Sequence, residues 1–277
     1  MAAADVVLPS AVGSPLQHTY RLPCGGEVVC QGLSYAEHEG NCHGGGLAAA
    51  GHATGMTQWP AGRLLCDYLV CQPPAGGPTR AAELGCGLGM TGLVFAASNP
   101  VASVLLTDGD EPCVQQAAAN AAAQPPGRAP AAAAHLLWGD TAACEALCAT
   151  GGRFDLVLGG DLVYGESRGG GLSEGTGKDN VTALFLTAQA LLSHSPGAAF
   201  LLGFQRRSVP LSAVLEAAAA EGLAADVPPG GWCEDLFCER TEEFSDTWQK
   251  AVLRFSRAEP EVARARAQAL LALAEME

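Results

Sequence analysis

The stretch Glu83-Leu84-Gly85-Cys86-Gly87-Leu88-Gly89-Met90-Thr91-Gly92 passes from an apolar run into a run with helical spacing. Residues 81–84 read as a short strand, and residues 91–98 as a helix with Leu93, Val94 and Ala97 on one face. Between them, Gly85 and Gly87 permit a tight turn and a close approach of backbone to a ligand. The same alternation continues downstream. A strand over 101–107 ends in Asp108. A helix over 111–123 begins beside Asp110 and Glu111, where the helix dipole favours negative charge, and stops at Pro125-Pro126. Further strands are expected over 134–138, 154–158, 198–204 and 248–255, and helices over 178–193 and 211–221. An Ala/Leu/Arg-rich helix closes the chain. Strands alternating with helices predict an α/β fold with a mostly parallel sheet covered on both faces and a ligand site outside the carboxyl ends of the strands.

Upstream, Leu64, Leu65, Tyr68 and Leu69 recur at helical spacing after Trp59, and a Pro/Gly-rich linker over 72–78 ends that helix. Residues 1–50 lack helical periodicity: Glu27-Val28-Val29-Cys30 reads as a strand of a hairpin and Gly44-Gly45-Gly46 as a loop. The expected organisation is an N-terminal extension over 1–50 readable as a hairpin, an α/β domain over 51–257 and a C-terminal helix over 258–277.

Composition narrows the function classes. The 277 residues carry 29 acidic and 15 basic side chains, a formal net charge of −14. Nucleic-acid binding leans on Lys and Arg to neutralise phosphates, so the balance argues against DNA or RNA as partner. A negative field instead attracts a cation such as an amine or a basic protein segment. The eleven cysteines form no C-x-x-C pair, and Cys42-His43 has no second ligand pair at finger spacing, so neither a disulfide framework nor a metal site is expected. No signal peptide is read at the N-terminus, and no apolar stretch is long enough to span a bilayer. A monomer in the cytoplasm, with the nucleus also open to it, is the expectation.

The ligand type turns on one carboxylate. Gly87, Gly89 and Gly92 match the dinucleotide pattern G-x-G-x-x-G, and Asp108 lies at a spacing suited to a ribose hydroxyl pair. Glu83 would repel a pyrophosphate and attract the ammonium and sulfonium of S-adenosylmethionine, which has no phosphate. Leu136-Leu137-Trp138-Gly139-Asp140 ends a strand beside the expected adenine position, where the Trp138 indole can stack on a purine or simply fill core. Gly159-Gly160-Asp161-Leu162-Val163-Tyr164 ends the next strand. Its two glycines leave room for a methionine moiety, with Asp161 and Tyr164 facing the cleft; an Asp at a strand end also serves as a helix cap.

Five segments in order resemble the seven-strand protein-lysine methyltransferases called methyltransferase family 16: Gln58-Trp59-Pro60-Ala61, Glu83 to Gly89, Thr107-Asp108, Leu137-Trp138-Gly139 and Asp161-Leu162-Val163-Tyr164. The resemblance covers roughly 55–257, and the early Trp with D-x-x-Y is its specific part. It implies a Rossmann-like class I methyltransferase with a seven-stranded sheet, and S-adenosyl-L-methionine as cofactor. By it, Trp59, Gly85, Cys86, Gly87, Asp108, Trp138 and Gly160 join Glu83 around the cofactor, while Asp161 and Tyr164 carry catalysis at the acceptor, with no metal. The acceptor it implies is a lysine of a non-histone protein. The glycine-rich stretch 165–177 is longer than in relatives. Two alternatives stay open: a methyltransferase for a small molecule or another residue, and a catalytically inactive nucleotide-binding or interaction module. A nicotinamide dehydrogenase is disfavoured by Glu83.

Overall fold

The computed structural model describes residues 15–33, 54–72, 79–99, 102–164, 177–206, 209–231 and 250–276. A hairpin of β1 (Pro15–Arg21) and β2 (Glu27–Leu33) comes first, followed by α1 (Pro60–Cys71). Then come β3 (Arg80–Leu84), α2 (Met90–Ser98), β4 (Ser103–Asp108), α3 (Glu111–Ala122), β5 (Ala131–His135), α4 (Thr141–Ala149) and β6 (Leu156–Gly160). The remainder is α5 (Gly177–Leu191), β7 (Ala199–Gln205), α6 (Leu211–Ala220), β8 (Leu223–Asp226), β9 (Lys250–Arg257) and α7 (Pro260–Met276).

Seven strands form one sheet in the order β5-β4-β3-β6-β7-β9-β8. Strands β3 to β7 are mutually parallel, and β9 runs antiparallel between β7 and β8. The strand order reverses between β3 and β6, which creates the crevice where ligands of such sheets bind. β6 and β7 read as unbroken apolar runs because both of their faces are covered. Val157, Phe200 and Leu202 face a core built with α4, α5, α6 and α7. Leu156, Leu158, Leu201 and Val252 face the opposite core, built with α1, α2, α3 and the hairpin.

The structure departs from the sequence expectations where alanine carries the pattern. The strand expected over 134–138 is β5 at Ala131–His135, so Leu136-Leu137-Trp138 follows the strand instead of ending it. Four consecutive alanines give no periodicity by which to place it. Helix α4, with only Cys144 buried, and β8, centred on Ala224-Ala225, have no expected counterpart. β9 is described from Lys250, and Trp248 lies outside the described residues. So do the expected loop at 44–46 and residues 165–176 of the glycine-rich stretch.

The N-terminal hairpin is seated on the sheet's helices, with β2 packed against α2 and α3. Asn120, 2% exposed on α3, makes the joint. Its Oδ1 accepts the Gln31 N–H at 2.9 Å, and its Nδ2 donates to the carbonyls of Gln31 at 3.2 Å and Leu88 at 3.0 Å. One amide thus ties β2 to the turn after β3. Asn120→Ala leaves these three backbone groups without their partner, and a loss of about 2–4 kcal/mol in urea unfolding is expected. A loss below about 0.5 kcal/mol would show that water replaces the amide.

Candidate cofactor and active site

The sequence-predicted residues converge at the carboxyl ends of β3, β4 and β6. Gly85 and Gly87 adopt φ of +52° and +50°. A Cβ on Gly87 would collide with the Gly55 carbonyl, and one on Gly85 would stand 2.7 Å from Leu162 and 3.1 Å from the Trp138 ring. The turn is therefore walled by the chain before α1 on one side and by the indole on the other. The Gly87 N–H donates to Asp108 Oδ2 at 2.9 Å, and the Asp110 N–H donates to Asp108 Oδ1 at 3.0 Å. Beside these bonds the Asp108 carboxylate keeps acceptor capacity for a ligand hydroxyl. Burial pushes the Asp108 carboxyl up, while the N–H groups of Gly87 and Asp110 pull it down.

Cys86 is buried, and its N–H donates to the Thr107 carbonyl at 2.9 Å, stitching β3 to β4 beneath the turn. Burial, then the negative charges of Glu83 and Asp108, raise its thiol well above the ordinary value. The thiol is neutral, and the backbone is what this residue brings to the turn. Trp138 is half-buried just past β5, beside Leu137, which is exposed.

Glu83 requires a correction. Its carboxylate does not line the cleft: the residue is 3% exposed, and Oε2 accepts the Gly92 N–H at 2.8 Å. It serves the first turn of α2, whose N-cap Gly89 has no side chain to do so. Desolvation pushes the Glu83 carboxyl up to about 8, the N–H of Gly92 and the hydroxyl of Thr91 pull it down, and Asp108 raises it again.

The other wall is the start of α1. Trp59 is the N-cap residue, without a side-chain hydrogen bond to its own helix. Its Nε1 donates to the Thr54 carbonyl at 2.8 Å, which folds residues 54–59 into a compact turn against Gly87. The glycines at the end of β6 answer a packing need: a Cβ on Gly160 would stand 2.9 Å from Gly62 Cα. Asp161 closes the same strand end. It is 5% exposed, and its Oδ2 accepts the Ala61 N–H of α1 at 3.2 Å. The capping role weighed for it from sequence is realised, for a helix that begins 101 positions earlier in the chain, at Pro60. Tyr164 is 46% exposed. Desolvation of its phenol, then the charges of Asp108 and Asp161, raise its pKa.

Gly55, Gly62 and Gly203 complete the site and were not singled out in the sequence. All are small residues in an Ala/Gly-rich chain, where the only available signal is small size itself. Just before α1, Thr57 Oγ1 and Gln58 Nε2 are buried with no hydrogen-bond partner among the described residues. Among the described residues, no group of three or more His, Cys, Asp or Glu side chains could hold a metal ion. None of the described helices is long and apolar enough to cross a membrane.

Residues 48–175 match the family model described as lysine methyltransferase. None of the curated proteins matches the sequence significantly. An S-adenosylmethionine-dependent methyltransferase from Agrobacterium tumefaciens superposes with a TM-score of 0.52 at 15% identity, over 88% of this chain and 70% of that one. SMU.776, described as a methyltransferase and solved with S-adenosylhomocysteine, superposes with a TM-score of 0.55 at 8% identity, over 88% of this chain and 57% of that one. The fold is that of the class I methyltransferases.

The buried Glu83 makes stability depend on pH. A carboxyl raised from 4.5 to about 8 contributes stability that is full below 4.5 and is lost as pH rises through about 8. Glu83→Gln keeps an acceptor for Gly92 but cannot ionise. Between about pH 6 and about pH 9 the wild-type Tm is expected to fall by a few degrees relative to Glu83→Gln in thermal scans. Parallel curves would assign the pH dependence to other groups.

Proposed function

We propose that this chain, an S-adenosylmethionine-dependent class I methyltransferase by its fold and by the family match over residues 48–175, transfers methyl groups to lysine side chains of a non-histone protein. The observation that carries the reading is where that match falls: it spans the glycine turn, Asp108, Trp138, Asp161 and Tyr164, the residues that meet at the strand ends.

The residues suit the cofactor. Asp108 offers two oxygens to the ribose hydroxyls, and the open flank of the Trp138 indole beside Gly85 suits a purine. The buried, unpartnered Thr57 Oγ1 and Gln58 Nε2 supply polar atoms toward the methionine end. The Asp108 carboxylate gives this end of the sheet a negative field that suits a sulfonium and an ammonium and disfavours a pyrophosphate. When bound, S-adenosylmethionine supplies an electrophilic methyl group.

This chain's part in the transfer is to bring a neutral amine into line. Lysine has a pKa of about 10.4, so only about one in a thousand is neutral at pH 7. The proton leaves to water before the amine is enclosed. Tyr164, exposed at the cleft mouth, shapes the channel through which the amine enters. Alignment of nitrogen, methyl and sulfur then lowers the barrier by several kcal/mol, on the order of what orientation supplies elsewhere. The net charge of −14 draws a lysine-bearing protein segment toward the cleft. The eight described cysteines are free thiols, which suits a reducing cytoplasmic or nuclear setting.

Calorimetry with S-adenosylhomocysteine, using NADH as control, tests the cofactor site. Binding of the first alone is expected. Asp108→Asn and Trp138→Ala should each weaken it by about tenfold or more. Tyr164→Phe should leave that affinity unchanged and reduce labelled-methyl transfer into protein of a cell extract. Label appearing only in small molecules, or on protein residues other than lysine, would overturn the acceptor assignment.

A further inference from the structure

Asp161 is the one non-glycine with positive φ among the described residues, at +62°. A left-handed conformation costs a side-chain-bearing residue about 1 kcal/mol, and Asp and Asn are the types that tolerate it. The turn keeps the strand ladder intact, since the Asp161 N–H still donates to the Gly203 carbonyl of β7 at 2.9 Å. It sends the carboxylate back over the end of β6 to the first turn of α1. Within that turn Pro60 has no N–H, Trp59 makes no side-chain cap, and no acidic residue is present. The Ala61 N–H finds its acceptor in Asp161.

The same contact zone has no slack. Gly160 faces Gly62, and Gly203 faces the Ala61 carbonyl, with no room for a Cβ at either strand position. From there the chain runs directly into the cofactor wall: Trp59 caps the helix, its indole N–H holds Thr54, and Gly55 rests on Gly87. Asp161 is therefore joined to the glycine turn by a short series of contacts through α1, while the residue itself is 5% exposed.

We propose that Asp161 is a positioning residue that seats the first turn of α1 and thereby sets the wall of residues 54–59 against the glycine turn, and that its charge does not act on the acceptor amine. The proposal rests on the cofactor site assigned above. It separates two substitutions that a role at the acceptor would not. Asn at 161 accepts the left-handed backbone and offers Oδ1 to Ala61. Gly at 161 relieves the backbone but offers no acceptor.

The test measures S-adenosylhomocysteine affinity by calorimetry, and labelled-methyl transfer into cell-extract protein, for wild type, Asp161→Asn, Asp161→Gly and Gly160→Ala. Each is read at a temperature where circular dichroism shows the variant folded. Asp161→Asn should keep both quantities within about threefold of wild type. Asp161→Gly should weaken the ligand by about tenfold, as should Gly160→Ala, whose methyl group pushes Gly62 away. If Asp161→Gly does not fold, Gly160→Ala carries the same comparison. A capping role confined to stability would lower Tm and leave the affinity of folded Asp161→Gly and Gly160→Ala unchanged, which overturns the proposal. Loss of transfer in Asp161→Asn with intact ligand binding also overturns it, because the charge would then be acting on the acceptor. If wild type itself does not bind S-adenosylhomocysteine, the cofactor reading fails first and the positioning role with it.

Discussion

The close approach of α1 to the ends of β6 and β7 is the constraint on which the site depends. Helix and sheet normally keep a side chain's distance from each other. Here Gly160 and Gly203 remove that spacer, and the first turn of α1 settles onto the strand ends. A helix start pressed against a sheet hides polar backbone that must find partners, and the Ala61 N–H finds Asp161. Because α1 is low on the sheet, the residues before it reach the glycine turn after β3. A larger residue in either strand would lift the helix and with it everything N-terminal to it.

Beneath the turn lies a second layer of the same kind. Glu83 is spent on the amide of Gly92, and Asp108 on the amides of Gly87 and Asp110. The turn is thus held from below by two carboxylates acting on backbone. The charge of Asp108 is half-buried in the scaffold, where solvent and salt screen it less than they would on the open surface. Such a floor favours a cationic ligand by the field of Asp108, whose oxygens share the contact surface with glycines and an indole.

Much of this was legible in the sequence. The alternation of strands and helices, the glycine turn and the residues at the ends of β3, β4 and β6 are marked by types that stand out locally: Gly-x-Gly, an Asp after an apolar run, a Trp followed by Gly-Asp. Alanine hid the rest. β5 is four alanines and a histidine, and β8 and α4 are nearly as plain, so periodicity could neither place the first nor find the others. The roles of Glu83 and Asp161 were hidden for another reason. A carboxylate near a ligand site has the same sequence signature whether it faces the ligand or an amide, and the partner of Asp161 lies 100 residues away. Gly62 and Gly203 could be recognised only from the surfaces they allow to meet.

The placement of β9 has a consequence for how the chain is made. Among the described residues β8 has no neighbour in the sheet except β9, and β9 lies between it and β7. While the chain is being synthesised, β7 presents an open edge and β8 waits unpaired until residues 250–257 emerge. Shortening the chain before that point would therefore remove two strands from the sheet, not one, and would bare the flank of β7 to pairing with other molecules.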